Sequence, residues 1–411
     1  MSAPARILLV HDGDGPLRGS EAVMLALIGA TRTQGLNWCV LTNHPEFAAA
    51  AAAAGAEAIA MRFRPLFGTA RRLVGDAAAA LCYVWRARRL LRGRDIDVVH
   101  INNGTSCIWS VPLAWWLGRP ALVHLHADFS RRNRFRFGIH LADRIVGVSA
   151  AVLQGSRCYP SAAGRCRVIY NGIDGLAARR CDRAAARAAL GLDEGAFVLG
   201  LAAYLIAPKR VDVAIDAMAE LPEAVARRAV LLVLGDGPDR AGLEARAAGL
   251  PVRFLGHRAD VHDLLLNVLD ALILSSEMEA FSLVLLEAAA AGLPRIGARA
   301  GGNPESILDG EDGLLVPPGD PAALAGAIAD LAMQPARARA LGEAALARQR
   351  REFTQARFIE AFLALYAELR AGPAGRLRRI LSGLRAQLAL AWPGGQGAEA
   401  RPPGMSDRGR P

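Results

Sequence analysis

At 411 residues and 53% hydrophobic content, the chain has material for two ordinary domains, yet no apolar run reaches the roughly 18 residues that a membrane-spanning helix needs. The formal charge of +10 is uneven: residues 1–180 carry 23 arginines against 11 acids, residues 181–372 carry 19 basic against 26 acidic residues, and residues 373–411 carry seven arginines against two acids. The six cysteines include no C-x-x-C pair and no histidine partner, which speaks against a metal site and for reduced thiols.

The first apolar run, RILLVH (6–11), reads as a buried strand and not as a secretory leader. A glycine-rich loop, HDGDGPLRGS, leads from it into an amphipathic helix over Glu21–Thr33. Strand-like runs WCVLT, AIAM, DVVHI, ALVHLH, RIVGVS and RVIY then alternate with helical stretches 46–54, 69–92, 106–117 and 134–142. Apolar strands alternating with helices predict a parallel, doubly wound sheet. NGIDGLAARR breaks the pattern, which restarts with FVLGLA and continues through AVLLVLG, VRFLG, ALILSS, RIGA and GLLVP. The expectation is an α/β chain of two tandem Rossmann-like domains, 1–175 and 176–353, with a cleft between them. A last helix over 354–371 is long enough to pack across both. Residues 372–411 read as a basic amphipathic segment (376–392) followed by a disordered tail rich in Pro, Gly and charge.

The stretch with most chemistry is LSSEMEAFSLVLLEAAAAGLP (274–294), a strand end, an acidic loop and an apolar helix. If that helix starts near Ser282, a rise of about 1.5 Å per residue sets Glu287 only about 7–8 Å up the axis. Glu279 and Glu287 then border one cleft at the carboxyl end of the sheet, where open α/β folds bind ligands. The backbone N–H groups of Ser282 and Leu283 are placed for a phosphate. A solvated first helical turn explains the same two acids.

Lys209 is the only lysine, and with Arg210 it stands where a strand ends and a helix begins. A cation there opposes the helix dipole, which slightly favours a ligand role. LGDGP (234–238) reads as a tight connection. His124 and His126 share one face of a strand end, but no third ligand is spaced to complete a metal site. His126 is set to face the cleft, His124 receives no role, and His100 and Asn102 are candidates for the same wall. The arginine–aromatic stretches 62–72, 83–92 and 131–137 suit an anionic membrane surface, and solvated helix faces explain them too. No nucleic-acid fold signature accompanies them.

In this order the pieces resemble the retaining glycosyltransferases of family 4, which have the GT-B fold. The resemblance spans about 6–370 and is strongest over 229–320. Glu279 and Glu287 match the family's E-x7-E element, VIYNGID its interdomain stretch, and RGSE (18–21) its usual G-G-x-E. The resemblance implies a UDP- or GDP-sugar co-substrate and no other cofactor. It also implies a glycan or lipid-linked acceptor and retention of anomeric configuration; the reduced thiols and the arginine–aromatic stretches add the expectation of a cytoplasmic location, peripheral at the membrane's inner face. Glu287 would bond the ribose, Glu279 would lie near the reacting carbon, and Gly19, Ser282 and Leu283 would offer N–H groups to the diphosphate. Lys209 would neutralise the diphosphate, His126 would bond the sugar, and Gly256 and His257 would lie by the base. No metal is needed where cations and helix dipoles stabilise the leaving group. Two departures stand out: Ser20 replaces the usual Gly or Ala, and Tyr204 replaces the arginine of G-R-L-x-x-x-K. Losing a charge-assisted contact costs about 1.5–3 kcal/mol unless it is replaced; Arg210 is one candidate substitute, and slow turnover or altered donor use is the other reading. A catalytically silent nucleotide-sugar-binding or scaffold protein is the alternative.

Overall fold

The computed structural model describes residues 5–64, 66, 73–157, 160–176 and 181–372. The segment 376–392, the tail, and most of 65–72 in the first arginine-rich stretch lie outside them.

Two all-parallel sheets form. The first, ordered β3-β2-β1-β4-β5-β6-β7, comprises β1 (Ala5–His11), β2 (Leu36–Thr42), β3 (Glu57–Ala60), β4 (Val98–Asn102), β5 (Ala121–Leu125), β6 (Arg144–Gly147) and β7 (Cys166–Val168). The second, ordered β10-β9-β8-β11-β12-β13, comprises β8 (Phe197–Ala202), β9 (Ala229–Leu234), β10 (Val252–Gly256), β11 (Ala271–Leu274), β12 (Arg295–Ala298) and β13 (Leu314–Val316). Both orders reverse direction once, between β1 and β4 and between β8 and β11. A crevice opens at such a switch point because neighbouring connections leave on opposite faces.

Period-2 alternation divides each strand between two cores. In β1, Leu8 and Val10 join Trp109, Phe137 and Val123 on one face. Ile7 and Leu9 join Met24, Leu27 and Trp38 on the other. The sequence reading lacked the helices Ala150–Arg157 and Pro160–Ala163 between β6 and β7. A parallel neighbour cannot be reached by a tight turn, so a crossover is obligatory there. Gly155 weakens the helical signal, yet only a small residue fits: a Cβ there would lie 2.7 Å from Arg134 Nε.

The helix expected to span both domains, Gln355–Ala371, lays Phe358, Phe362, Leu365 and Tyr366 on the first sheet and completes its second core. Tyr366 Oη lies 2.7 Å from His100 Nδ1, so His100 belongs to that core and not to the cleft wall. Joining the domains falls to Phe353, whose ring centroid is 5.6 Å from Tyr170 and 5.5 Å from Phe281. The outgoing and returning chains also pair, with Ile173 N–H donating to Phe353 O at 3.0 Å. This pairing explains the glycine of N-G-I-D, because a Cβ at Gly172 would meet Thr354 O at 2.1 Å. Glu305 adds a polar tie: its carboxylate accepts from Ala150 N (2.7 Å), Ala151 N (2.9 Å) and Tyr170 Oη (3.0 Å). A carboxylate at those N–H groups complements the start of the helix Ala150–Arg157. Burial, then the charge of Glu305, pushes the Tyr170 phenol up to about 12, so it stays protonated and donates.

Candidate active site

The two switch points face each other across a cavity of about 540 Å³. From the first sheet its wall takes Gly19, Ser20, His126 and Asp128, and from the second Lys209, Glu279, Leu283 and Gly301.

The lip from the first sheet starts with β1. His11 ends that strand beside Asn102 of β4, their side chains 3.1 Å apart, so Asn102 supports His11 below the cleft. His11 Nε2 in turn lies 3.3 Å from Glu21 Oε1. Glu21 is the third residue of the helix Gly19–Thr31 and reaches back to accept from Arg18 N–H at 3.1 Å, the return half of a capping box. Burial alone would raise the Glu21 carboxyl, but bonds from His11, Ser20 and the backbone outweigh it and hold it at about 2. Glu21 is therefore a permanent anion that fixes the turn presenting Gly19.

His126 follows β5 directly, with its ring centroid 4.0 Å from that of His124. Burial, partly offset by the charge of Glu21, lowers the imidazole to about 4, so at neutral pH it is an uncharged hydrogen-bonding group. Its Nε2 atom has no hydrogen-bond partner among the described residues. His124 is fully buried against Phe362.

The opposing lip follows β8 and β11. Lys209 Nζ donates to Glu279 Oε2 at 2.7 Å, the two side chains 25% and 12% exposed. Backbone contacts clamp this pair: Ser275 Oγ donates to Lys209 O at 3.2 Å, and Gly302 N–H donates to Glu279 O at 2.8 Å. Ser282 precedes the helix Leu283–Ala290 in extended geometry, and its hydroxyl makes no capping bond. Glu287, within that helix, lies 3.6 Å from His262 Nε2. Its proximity raises the His262 imidazole above the ordinary value, against the effect of burial.

The structure therefore brings Gly19, His126, Lys209, Glu279 and Leu283 onto one cavity. Glu287, Tyr204, Ser282, Gly256 and His257 are not on its wall. Arg210 is a correction. Its guanidinium is held by Asp212 (3.1 Å) and Glu277 (2.9 Å), so it does not replace the charge missing at Tyr204. LGDGP is also more than a connection, since Cβ atoms at Gly235 and Gly237 would meet Ala203 O at 1.9 Å and Leu205 O at 2.4 Å. Those glycines seat the loop that carries Tyr204. His262 was missed because nothing in its neighbourhood sets it apart from a surface histidine. No group of three or more His, Cys, Asp or Glu among the described residues is placed to hold a metal ion.

Residues 17–175 match the model described as Glycosyltransferase Family 4, and 182–348 the one described as Glycosyl transferases group 1. N-acetyl-alpha-D-glucosaminyl L-malate synthase of Bacillus anthracis is 30% identical over 60% of this chain and 65% of its own length. D-inositol 3-phosphate glycosyltransferase of Saccharomonospora viridis is 35% identical over 55% of this chain and 56% of its own. The chain thus spans less than two thirds of these two relatives. The Actinosynnema mirum protein of the latter name is 34% identical over 72% of this chain and 78% of its own length. Among solved structures, Anabaena HepE in complex with UDP-glucose superposes with a TM-score of 0.75 at 22% identity, covering 88% of this chain and 99% of that one. A glycosyltransferase from Rickettsia africae gives 0.76 at 18% identity, covering 90% and 99%. These likenesses establish the fold as GT-B. With both halves matched and the extended likeness to the Actinosynnema protein, the chain belongs to glycosyltransferase family 4.

Proposed function

We propose that this chain is a retaining glycosyltransferase that moves a sugar from a UDP- or GDP-sugar to a glycan or lipid-linked acceptor in cell-surface polysaccharide or glycolipid synthesis. The observation that carries the proposal is the Lys209–Glu279 pair at 2.7 Å, set on the cavity opposite His126. When a sugar–phosphate bond breaks, negative charge grows on the diphosphate and positive charge on the sugar carbon. An ammonium and a carboxylate side by side can serve those two charges at once. Neutral His126 supplies a hydrogen bond to the sugar without adding charge near the cationic carbon. Glu287, in the helix Leu283–Ala290 with His262 beside it, would bond the ribose hydroxyls. The UDP-glucose bound to Anabaena HepE supports a UDP-sugar as the first donor to try.

Incubation of the full chain with a panel of UDP- and GDP-sugars tests this. One donor is expected to release nucleoside diphosphate faster when acceptor is added, giving a glycoside of the donor's anomeric configuration by proton NMR. An inverted product sinks retention. An altered nucleotide sugar with no free diphosphate points to an epimerase, and no turnover with any donor to a silent binding protein.

We infer that the outer face of the helix Leu73–Leu90 docks on an anionic bilayer. Leu81 is 70% exposed and Trp85 55%, spaced four residues apart so that they share one side. Arg89 sits over the Trp85 ring at 5.8 Å and Arg88 over Trp116 at 5.6 Å. Aromatic anchors ringed by arginine suit a headgroup layer. Full-length protein is expected to sediment with vesicles containing phosphatidylglycerol and to be released by salt. The triple variant Leu81→Ser, Trp85→Ser, Arg89→Ser is expected to lose most of that binding. Equal sedimentation of the two proteins would exclude this face.

A further inference from the structure

We propose that Arg18, held across the cleft on the ring of Tyr204, is a diphosphate-binding cation of this site, with Tyr204 as its positioning residue. The assignment rests on the nucleotide-sugar reading above. Arg18 immediately precedes Gly19 of the cavity wall, and its guanidinium carbon lies 5.5 Å from the centroid of the Tyr204 ring. The two residues come from opposite sheets, so the contact bridges the lips of the cleft. With Arg18 against it Tyr204 is still 44% exposed, so the contact stands open to a ligand in solution.

The distribution of charge singles out Arg18. Lys209 is paired with Glu279 at 2.7 Å, and Arg210 is shared by Asp212 and Glu277. Among the described residues no carboxylate lies within ion-pair distance of Arg18. An aromatic face orients a guanidinium without neutralising it and leaves the N–H edge free for a bidentate anion. Helix stability does not account for an arginine here. Residue 18 caps the helix Gly19–Thr31, where a cation faces the positive end of the helix dipole. A diphosphate between the lips would relieve that repulsion.

The departure at Tyr204 thus meets in space a further one, at position 18. Position 204 lacks the expected arginine, and position 18 carries an arginine where G-G-x-E has its first glycine. The charge has moved from one lip to the other, and the ring left behind receives it.

Binding of UDP, GDP, UMP and GMP to the full chain, measured by isothermal titration calorimetry, tests the assignment. Arg18→Ala is expected to weaken the preferred nucleoside diphosphate about 10- to 100-fold, the range for a lost charge-assisted bond. The matching monophosphate, which lacks the second phosphate, is expected to change by no more than about twofold, as for a screened surface charge. Tyr204→Phe keeps the ring and is expected to bind like wild type. Tyr204→Ala is expected to lose part of the affinity, and Arg18→Ala combined with Tyr204→Arg to regain most of it. Unchanged diphosphate binding by Arg18→Ala, or equal losses for mono- and diphosphate, overturns the assignment alone. If wild type binds neither diphosphate, the nucleotide-sugar reading itself falls and takes the assignment with it.

Discussion

Glu279→Gln is expected to lower kcat by about 10²- to 10³-fold, with little change or a fall in the donor KM. The asymmetry follows from the 2.7 Å contact with Lys209. In the resting protein that contact occupies the ammonium. Removing the carboxylate's charge frees Lys209 to attract the diphosphate in the ground state, so binding holds or improves. The charge opposite the developing sugar cation is lost, and that interaction matters only as the bond breaks. A fall in kcat with unchanged or lower KM is the signature of a group used in the transition state. Lys209→Ala should behave differently, raising the donor KM as well as lowering kcat, because the phosphate loses a point charge in both states. The double variant is expected to be scarcely worse than the poorer single one, since partners acting as a unit do not add. Initial rates of nucleoside diphosphate release over a range of donor concentrations decide it. Equal turnover by wild type and Glu279→Gln would remove the carboxylate from the reaction.

The second large effect concerns a residue with no side chain. Gly301→Ala is expected to reduce kcat by about 10²-fold in a protein that still folds, because misplacement near 1 Å is enough for such a loss. A Cβ at 301 would lie 1.8 Å from Glu279 O, where carbon contacts settle near about 3.5–4.0 Å, so the Glu279 loop must retreat. The neighbouring Gly302 is equally confined, its Cβ position 2.0 Å from Ala280 O. Backbone strain contributes separately, since Gly301 has φ +53°. Gly310→Ala separates the two causes: φ there is +77°, but the Cβ enters open space. It should lower the melting temperature through left-handed strain and leave kcat near wild type. If both variants lose activity alike, the clash with Glu279 is not the cause.

Sequence made the architecture legible because parallel sheets bury their strands on both faces, and apolar runs such as ILLV, VLLVL and ALIL leave little choice. Lys209 and Glu279 were legible because each lies in the loop that leaves the carboxyl end of a strand, the side of the sheet on which the cavity opens. Relations between distant elements were not legible. Glu287 meets His262 only once the second sheet has set their helices side by side, and Arg18 meets Tyr204 only after both sheets have formed and faced each other. Arg210 shows how a local reading goes wrong. It sits beside Lys209 and carries the right charge, but Asp212 is two residues away, in a first helical turn that favours an acid. Proximity along the chain assigned Arg210 to the ligand, but two carboxylates, Asp212 and Glu277, share its charge, whereas Lys209 meets Glu279 alone among the described residues.

The final helix also sets a timetable for biosynthesis. Ile7, Leu9 and Trp38 leave the ribosome long before their covering partners Phe362, Leu365 and Tyr366. The first sheet can form its strand pairs early, but one flank stays bare until the second domain has been made. Such late closure lengthens the interval in which apolar surface is exposed to neighbouring chains. A nascent-chain chaperone therefore has more to do on the earlier of the two domains than on the later one.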